Sequence, residues 1–240
     1  MAAGGKILAA ILQELALAVK PDITTKSLDL LAHDLCKKNK VKPAFLGYVV
    51  AGKKYPASLC VSVNDEVVHG IPSERVLKEN DIVGLDMGVI YEGWNLDSAI
   101  TVETKNEKRK TKNEKLIAVT KKSLELGIAQ AKPGNHIGNI SHAIQQYVES
   151  NGFSVVRDLV GHGIGRKLHE EPAIPNFGKP GEGSELKVGM VIAIEPMVTA
   201  GDWHVRLATD GWTYKTKDGF LSAHFEHTVA ITKTGPIVLT

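Results

Sequence analysis

Residues 3–19 form an apolar stretch broken by Gln13 and Glu14 and ended by Lys20-Pro21-Asp22, which predicts a buried helix. A second helix is predicted from a cap at Thr24 or Thr25 to about Lys40, with Leu28, Leu31 and Leu35 on one face. Lys42 to Tyr55 reads as a loop, then Ser58–Val63 as a strand, Asn64-Asp65 as a turn and Glu66–His69 as extended. From Ile82 to Ile100 the chain is an apolar strand holding one acid, a Glu92-Gly93 turn, and a second strand holding another. If that turn has two residues, Asp97 lies opposite Gly88 and Asp86 opposite Ala99. Both acids then share one face, roughly 7–8 Å apart at the backbone. This pairing continues to about Glu103, and Lys105–Lys115 is a charge run expected to be a solvated loop. Helices are predicted for 115–131 and 137–150, and strands for 153–156, 191–195, 225–232 and 236–239. Residues 203–205 and 211–217 look extended, and Gly161–Pro172 reads as a Gly- and His-rich loop.

The two halves of this pattern resemble each other. Lys20-Pro21-Asp22 and its helix match Lys132-Pro133-Gly134 and its helix at an offset of 112. His69-Gly70-Ile71-Pro72 matches His169-Glu170-Glu171-Pro172 at an offset of 100. The strand ending in Asp86 matches the strand ending in Glu195 at an offset of 109. The implied architecture is one α+β domain over residues 1–240. Two related halves, about 1–104 and 115–240, pack around a pseudo-two-fold axis with Asp86 and Glu195 converging at the centre.

Composition narrows the function classes. With 240 residues and 43% hydrophobic content the chain can bury a substantial core. A net charge of +2 signals neither a nucleic-acid binder nor an acidic tail. Two cysteines, Cys36 and Cys60, without CxxC spacing fit a reducing, cytoplasmic compartment. The N-terminal apolar run is too short to span a bilayer and lacks a signal-peptide pattern. No GxSxG, phosphate-binding loop or dinucleotide fingerprint is present.

Four acids sit within or at the end of apolar strands: Asp86, Asp97, Glu195 and Glu226. Any one of them alone would be a core ion pair. Together they would repel strongly unless protonated or neutralised by cations. With His162 they form an oxygen-rich ligand set suited to Mn, Fe or Co, with Zn also compatible. Enough carboxylates are present to bridge two ions, which can activate a shared water. His169 follows seven residues after His162, and a glycine-rich loop permits one to ligate while the other meets a substrate oxygen. His227 adjoins Glu226 and should point away. Cys60 reads as a small strand residue, less often as a pocket wall.

In order and spacing, Val68-His69-Gly70-Ile71-Pro72, Asp86 with Asp97, Gly161-His162-Gly163-Ile164-Gly165 with His169-Glu170-Glu171-Pro172, Ile194-Glu195-Pro196-Met197 and Phe225-Glu226-His227-Thr228 resemble the methionine aminopeptidases. The resemblance covers nearly the whole chain. It implies the pita-bread fold, two αβ halves about a central antiparallel sheet, and removal of the initiator methionine from nascent proteins and peptides. It implies two divalent ions held by Asp86, Asp97, His162, Glu195 and Glu226, with Asp97 and Glu226 bridging. His169 would hydrogen-bond the scissile carbonyl or its oxyanion, His69 would position substrate near the leaving amide, and Glu195 would double as general base. Tyr55, Cys60 and Trp212 would line the methionine pocket. Glu195 and Glu226 are only 31 positions apart, which leaves no room for the insertion of type II enzymes, so type I is expected. In departure from the family pattern, the chain starts where the family's first helix is already under way, so its short preceding segment is missing, the Tyr48–Tyr55 loop is long, and Leu168 stands where Phe is common. The basic segment used for ribosome docking is reduced to Arg206, Lys215 and Lys217. A monomer without membrane or nucleic-acid partners is expected. Two alternatives stand beside this reading. One is a proline-specific aminopeptidase or dipeptidase with the same ligands. The other is a non-catalytic binding protein of the same fold.

Overall fold

The computed structural model describes residues 1–104 and 113–240. The charge run expected as a loop at Lys105–Lys115 lies mostly outside the described residues. Four helices are present among them: α1 Ala2–Ala18, α2 Thr25–Lys38, α3 Asn113–Gln130 and α4 Ile137–Ser150. Leu8, Ile11, Leu12 and Leu15 recur at helical spacing in α1 and are buried. The Thr24 hydroxyl accepts the Ser27 N–H at 3.1 Å and caps α2, while Lys37 and Lys38 face its negative C-terminal end. The Asn139 amide oxygen accepts the His136 N–H at 3.0 Å and closes the first turn of α4. No described helix is long and apolar enough to cross a membrane.

Among the described residues the centre is an antiparallel sheet of nine strands. Its longest pair is Ile82–Tyr91 with Trp94–Glu103, joined by Glu92 and Gly93 at φ 50° and 76°. Positive φ at both turn positions gives the two-residue type I′ geometry, whose twist matches that of the strands. Trp94–Glu103 continues through Ala99 and Ser98 to Glu226 and His227 of Glu226–Thr232, which pairs in turn with Val191–Ile194. Val83, Leu85, Met87 and Val89 point to one face and pack with Leu8, Ile11, Leu15 and Leu28 of α1 and α2. In the second half, Ile192, Ile194 and Val229 pack with Leu116, Ile140 and Ile144 of α3 and α4. The helices cover that side of the sheet, and the acids occupy the other.

The internal likeness extends to individual hydrogen bonds. Asp22, Thr25 and Lys26 donate their N–H groups to the carbonyls of Leu77, Arg75 and Ser73, and Leu77 donates to Ile23. Gly134, Ile137 and Gly138 donate to Leu186, Ser184 and Glu182, and Leu186 donates to Asn135. The partners among residues 22–26 are displaced by 112 residues and those among 73–77 by 109. The pairing of Ser62 with Gly84 recurs as His162 with Ala193, displaced by 100 and 109.

Two expected loops contain strands. Gly161–Gly163 and Glu170–Ile174 pair antiparallel and extend the main sheet past Val191–Ile194. Between Lys42 and Tyr55 a short strand, Lys42–Pro43, joins the sheet edge, and Val49–Val50 and Lys53–Lys54 make a small hairpin. Met197–Thr199 and Ser222–His224 form further strands that the apolar pattern did not announce. In each case pairing with distant chain overrides a weak local preference.

Candidate metal centre and active site

The hairpin register opposes Asp97 to Gly88 and Asp86 to Ala99, so both carboxylates lie on the face away from α1 and α2. Asp97 is fixed from both sides. Its N–H donates to the Thr228 hydroxyl at 3.0 Å, its carbonyl accepts from that hydroxyl at 2.7 Å, and its Oδ1 accepts the Ser98 N–H at 3.0 Å. The neighbouring strand presents Glu226, whose carbonyl accepts the Ser98 hydroxyl at 2.8 Å. His162 comes from Gly161–Gly163 and Glu195 from just beyond Val191–Ile194. One ligand atom each from Asp97, His162 and Glu226 lie within 4.8 Å of one another. His162 Nε2 is 3.7 Å from Glu195 Oε1. Asp97, His162, Glu226 and Glu195 are thus brought together from both halves of the chain, while Asp86 lies outside the group of three and lines the same cavity.

The electrostatics of this cluster favour a cation. Asp86, Asp97 and Glu226 are buried, and Asp86 Oδ1 and Glu226 Oε1 have no hydrogen-bond partner. Burial raises all four carboxyls: Asp86 to about 7, Glu195 to about 8, and Asp97 and Glu226 well above the usual carboxylate range. Neighbouring carboxylates raise Asp86, Asp97 and Glu226 further. Burial and the His169 ring lower His162 to about 4, so its imidazole is neutral near pH 7. His162 Nδ1 lies 2.8 Å from the Gly163 carbonyl, which can only accept. The proton therefore sits on Nδ1 and the Nε2 lone pair faces the carboxylates, the orientation a metal-binding histidine needs. Orphaned buried oxygens, mutual carboxylate repulsion and a bare imidazole nitrogen fit a divalent cation.

A narrow cavity ends on these groups. It is lined by all ten residues singled out from the sequence: Tyr55, Cys60, His69, Asp86, Asp97, His162, His169, Glu195, Trp212 and Glu226. Its apolar end is built from aromatic edges. Tyr55 stands perpendicular to Trp212 at 5.2 Å and to Phe45 at 6.4 Å between ring centres. The Tyr55 hydroxyl donates to the Gly70 carbonyl at 2.9 Å, so this wall carries a satisfied polar group. Leu168 closes the same cluster, and Cys60 sits opposite Asp86 with its thiol held protonated by burial. Such a chamber accepts a slim apolar side chain and leaves the polar atoms attached to it at the carboxylates. A wider cleft of about 690 Å³ shares His69, His162, His169 and Glu195 with the chamber and continues past Arg166 and Glu171.

His169 stands exposed at the junction of the two spaces, its ring 4.4 Å from that of His162. His69 lies on the opposite wall with φ 60°, a left-handed conformation that a β-carbon makes costly, by roughly 1 kcal/mol or more. The adjacent Gly70 explains why the chain holds this bend: a β-carbon there would lie 2.2 Å from the Val61 carbonyl oxygen. Burial and the imidazoles of His224 and His169 push His69 down to about 4. His227 turns away and contacts the Thr240 hydroxyl at 3.0 Å.

Three contributors escaped the sequence reading. The Tyr48 hydroxyl is 2.6 Å from His169 Nδ1, across 121 residues of chain. Phe45 forms a pocket wall. His224 is buried, with its Nε2 3.6 Å from Glu195 Oε2. Its position two residues before Glu226 was the available signal, because strand residues two apart share a face.

Comparison with known proteins agrees with this geometry. Residues 1–233 match the model of metallopeptidase family M24. The chain is 50% identical to methionine aminopeptidase 1 of Bacillus subtilis (strain 168) over 240 residues, all of this chain and 94% of the relative. It is similar to the crystal structure of methionine aminopeptidase from Thermotoga maritima, with a TM-score of 0.95 and 47% identity over all of this chain and 94% of the other. A prolidase from Pyrococcus furiosus shares the fold at a TM-score of 0.76 with 20% identity, covering 98% of this chain and 61% of that one.

Proposed function

The chain belongs to metallopeptidase family M24 and, within it, to the methionine aminopeptidases, and from that premise we propose that it releases the initiator methionine from nascent proteins and peptides. The observation that carries this is the junction of the aromatic chamber with the buried carboxylate cluster. The chamber takes the methionine side chain, which is slim, unbranched and apolar. Its bottom fixes how far the substrate enters, so the first peptide bond comes to rest beside the carboxylates.

Asp86, Asp97, His162, Glu195 and Glu226 would hold two divalent ions of the Mn, Co, Fe or Zn class. When bound, such ions supply Lewis-acid polarisation and a water nucleophile available at neutral pH. The other groups bind, orient and move protons. Tyr55, Cys60 and Trp212 hold the side chain. Glu195 is the only one of the four carboxylates flanked by two imidazole nitrogens at 3.6–3.7 Å, and it takes the proton released as water attacks. His169 reaches solvent on one side, and the desolvation of the rest of its ring lowers its pKa, so it is neutral near pH 7. With Nδ1 accepting from the Tyr48 hydroxyl, its proton sits on Nε2 and is donated to the carbonyl oxygen as negative charge develops there. His69, also neutral, holds the amide on the leaving side. The wide cleft receives the rest of the peptide.

All 240 residues act as one catalytic domain in this reading, a cytoplasmic monomer that meets chains as they emerge. Of the three cations considered for ribosome docking, Lys215 is engaged, 3.1 Å from Asp65 and 3.7 Å from Glu66. Docking then falls to Arg206 and Lys217. Cosedimentation with ribosomes that persists in an Arg206→Ala/Lys217→Ala variant would remove them from that role.

The test of the function is hydrolysis of a Met-Gly-Met peptide with Mn, Co or Fe supplied. His169→Ala should lose most of the rate, with substrate binding far less affected. No turnover with any of these metals would leave a binding protein of the same fold.

A further inference from the structure

The strand Ser222–His224 ends beside the carboxylate cluster, and the scheme above uses its last residue only as a neighbour of Glu195, with no role of its own. His224 is 3% exposed, and its Nε2 is buried without a hydrogen-bond partner. Its backbone is clamped: the His224 N–H donates to the Thr101 hydroxyl oxygen at 2.9 Å, and its carbonyl accepts that hydroxyl at 2.6 Å. The main-chain pairing with Met197 adds a second restraint. The ring is therefore held where Nε2 faces Glu195 Oε2 at 3.6 Å. On the other side His162 Nε2 faces Oε1 at 3.7 Å. One carboxylate is thus bracketed by two imidazoles, of which only His162 lies within the cluster that can hold a metal.

A buried donor facing a buried carboxylate is costly while unpaired and favourable once joined. Closing the gap takes a small side-chain rotation of Glu195, whose carboxylate lies beyond the end of its strand. We propose that His224 is a positioning residue for Glu195, its Nε2–H donating to Oε2 so that Oε1 stays directed to the His162 side. The inference rests on the metallopeptidase reading above. Metal-assisted catalysis depends on such outer contacts, because a ligand free to rotate loses both affinity and orientation.

The test compares His224→Gln, which retains a donor of similar reach, with His224→Leu, which retains bulk but no donor. Calorimetric titration with MnCl2 and steady-state kinetics on a Met-Gly-Met peptide give two independent readouts. His224→Leu should weaken Mn binding and lower kcat, each by about 10–100-fold, with KM within about twofold. His224→Gln should recover most of both. Adding His224→Leu to Glu195→Gln should weaken Mn binding little beyond Glu195→Gln alone, because the two act through one carboxylate. If His224→Leu fails to fold, His224→Asn, whose amide is too short to reach, replaces it. The proposal is overturned if the donor-less variant binds Mn and turns over like the parent. It is equally overturned if His224→Gln is as impaired as His224→Leu, since the imidazole itself would then be required. A parent protein that neither binds Mn nor cleaves the peptide would overturn the function itself, a distinguishable result.

Discussion

Replacing Asp97 by Asn should make the metal-free protein more stable and the metal-supplied protein less so. Ligand atoms of Asp97 and Glu226 lie within 4.8 Å of each other in the buried cluster. At an effective dielectric constant of 20, two unit charges at that distance repel by about 3 kcal/mol. The site meets this cost either as repulsion or by taking up a proton, and the amide removes it in both cases. The Asn carbonyl can still accept the Ser98 N–H that Asp97 Oδ1 accepts at 3.0 Å. Burying an incompletely paired amide returns about 1 kcal/mol, leaving a net gain of about 2 kcal/mol. For a domain of this size that raises the melting temperature by about 5 °C in EDTA at pH 8. Loss of this ligand should weaken Mn binding by about 100-fold or more, exceeding the effect expected for an outer contact. The assay is thermal unfolding in EDTA and in excess MnCl2, with calorimetric titration alongside. A variant less stable than the parent in EDTA, with unchanged Mn affinity, would refute the claim that these carboxylates are kept together for a cation.

The metal-free parent should lose stability as pH rises from 7.5 to 9. Asp86 and Glu195 have raised folded pKa values of about 7 and about 8, so the folded state keeps protons that the unfolded state has released. Above pH 7.5 the histidines are largely neutral in the unfolded state as well as the folded one, so the carboxyls dominate, and the loss is on the order of 1 kcal/mol. Saturating Mn should flatten this slope, and urea unfolding at several pH values measures it; a rise in apo stability across the window contradicts the assignment. Tyr48→Phe should lower kcat about tenfold with KM little changed, since it frees the His169 tautomer while keeping the ring. An unchanged kcat would remove Tyr48 from the mechanism. Gly70→Ala should cost about 2 kcal/mol or more and lower the melting temperature by about 5 °C, because its β-carbon would meet the Val61 carbonyl at 2.2 Å. A melting temperature equal to the parent's would show that the bend at His69 can relax.

How much of this was legible in the sequence depended on the range of the interaction. The Asp86/Asp97 register followed from one local feature, a two-residue turn at Glu92-Gly93, and it fixed the face of both acids. The duplicated Lys-Pro turns and apolar strands carried the pseudo-two-fold arrangement, because the same short hydrogen-bond pattern is built twice. Contacts closed by the fold alone were not legible. Tyr48 reaches His169 across 121 residues, and nothing local marks the pairing. Gly161–Gly163 becomes a strand because it lies between Val191–Ile194 and Glu170–Ile174, although glycine lowers its own strand preference. His224 was missed because the closing strand was started at Phe225, which hid the shared face of residues 224 and 226. Lys215 looked available for docking until its pairing with Asp65 and Glu66 was seen.

The central claim is that a methionine-sized chamber opening on a metal-binding carboxylate cluster makes this chain a methionine aminopeptidase. Its most direct test offers the protein Met-Ala and Xaa-Pro peptides side by side, with MnCl2 and with EDTA, and measures the freed amino acid by mass spectrometry. Release of free methionine from the Met-Ala peptide with Mn, abolished by EDTA, is the predicted result. Efficient cleavage of the Xaa-Pro peptide with none of the Met-Ala peptide would contradict it.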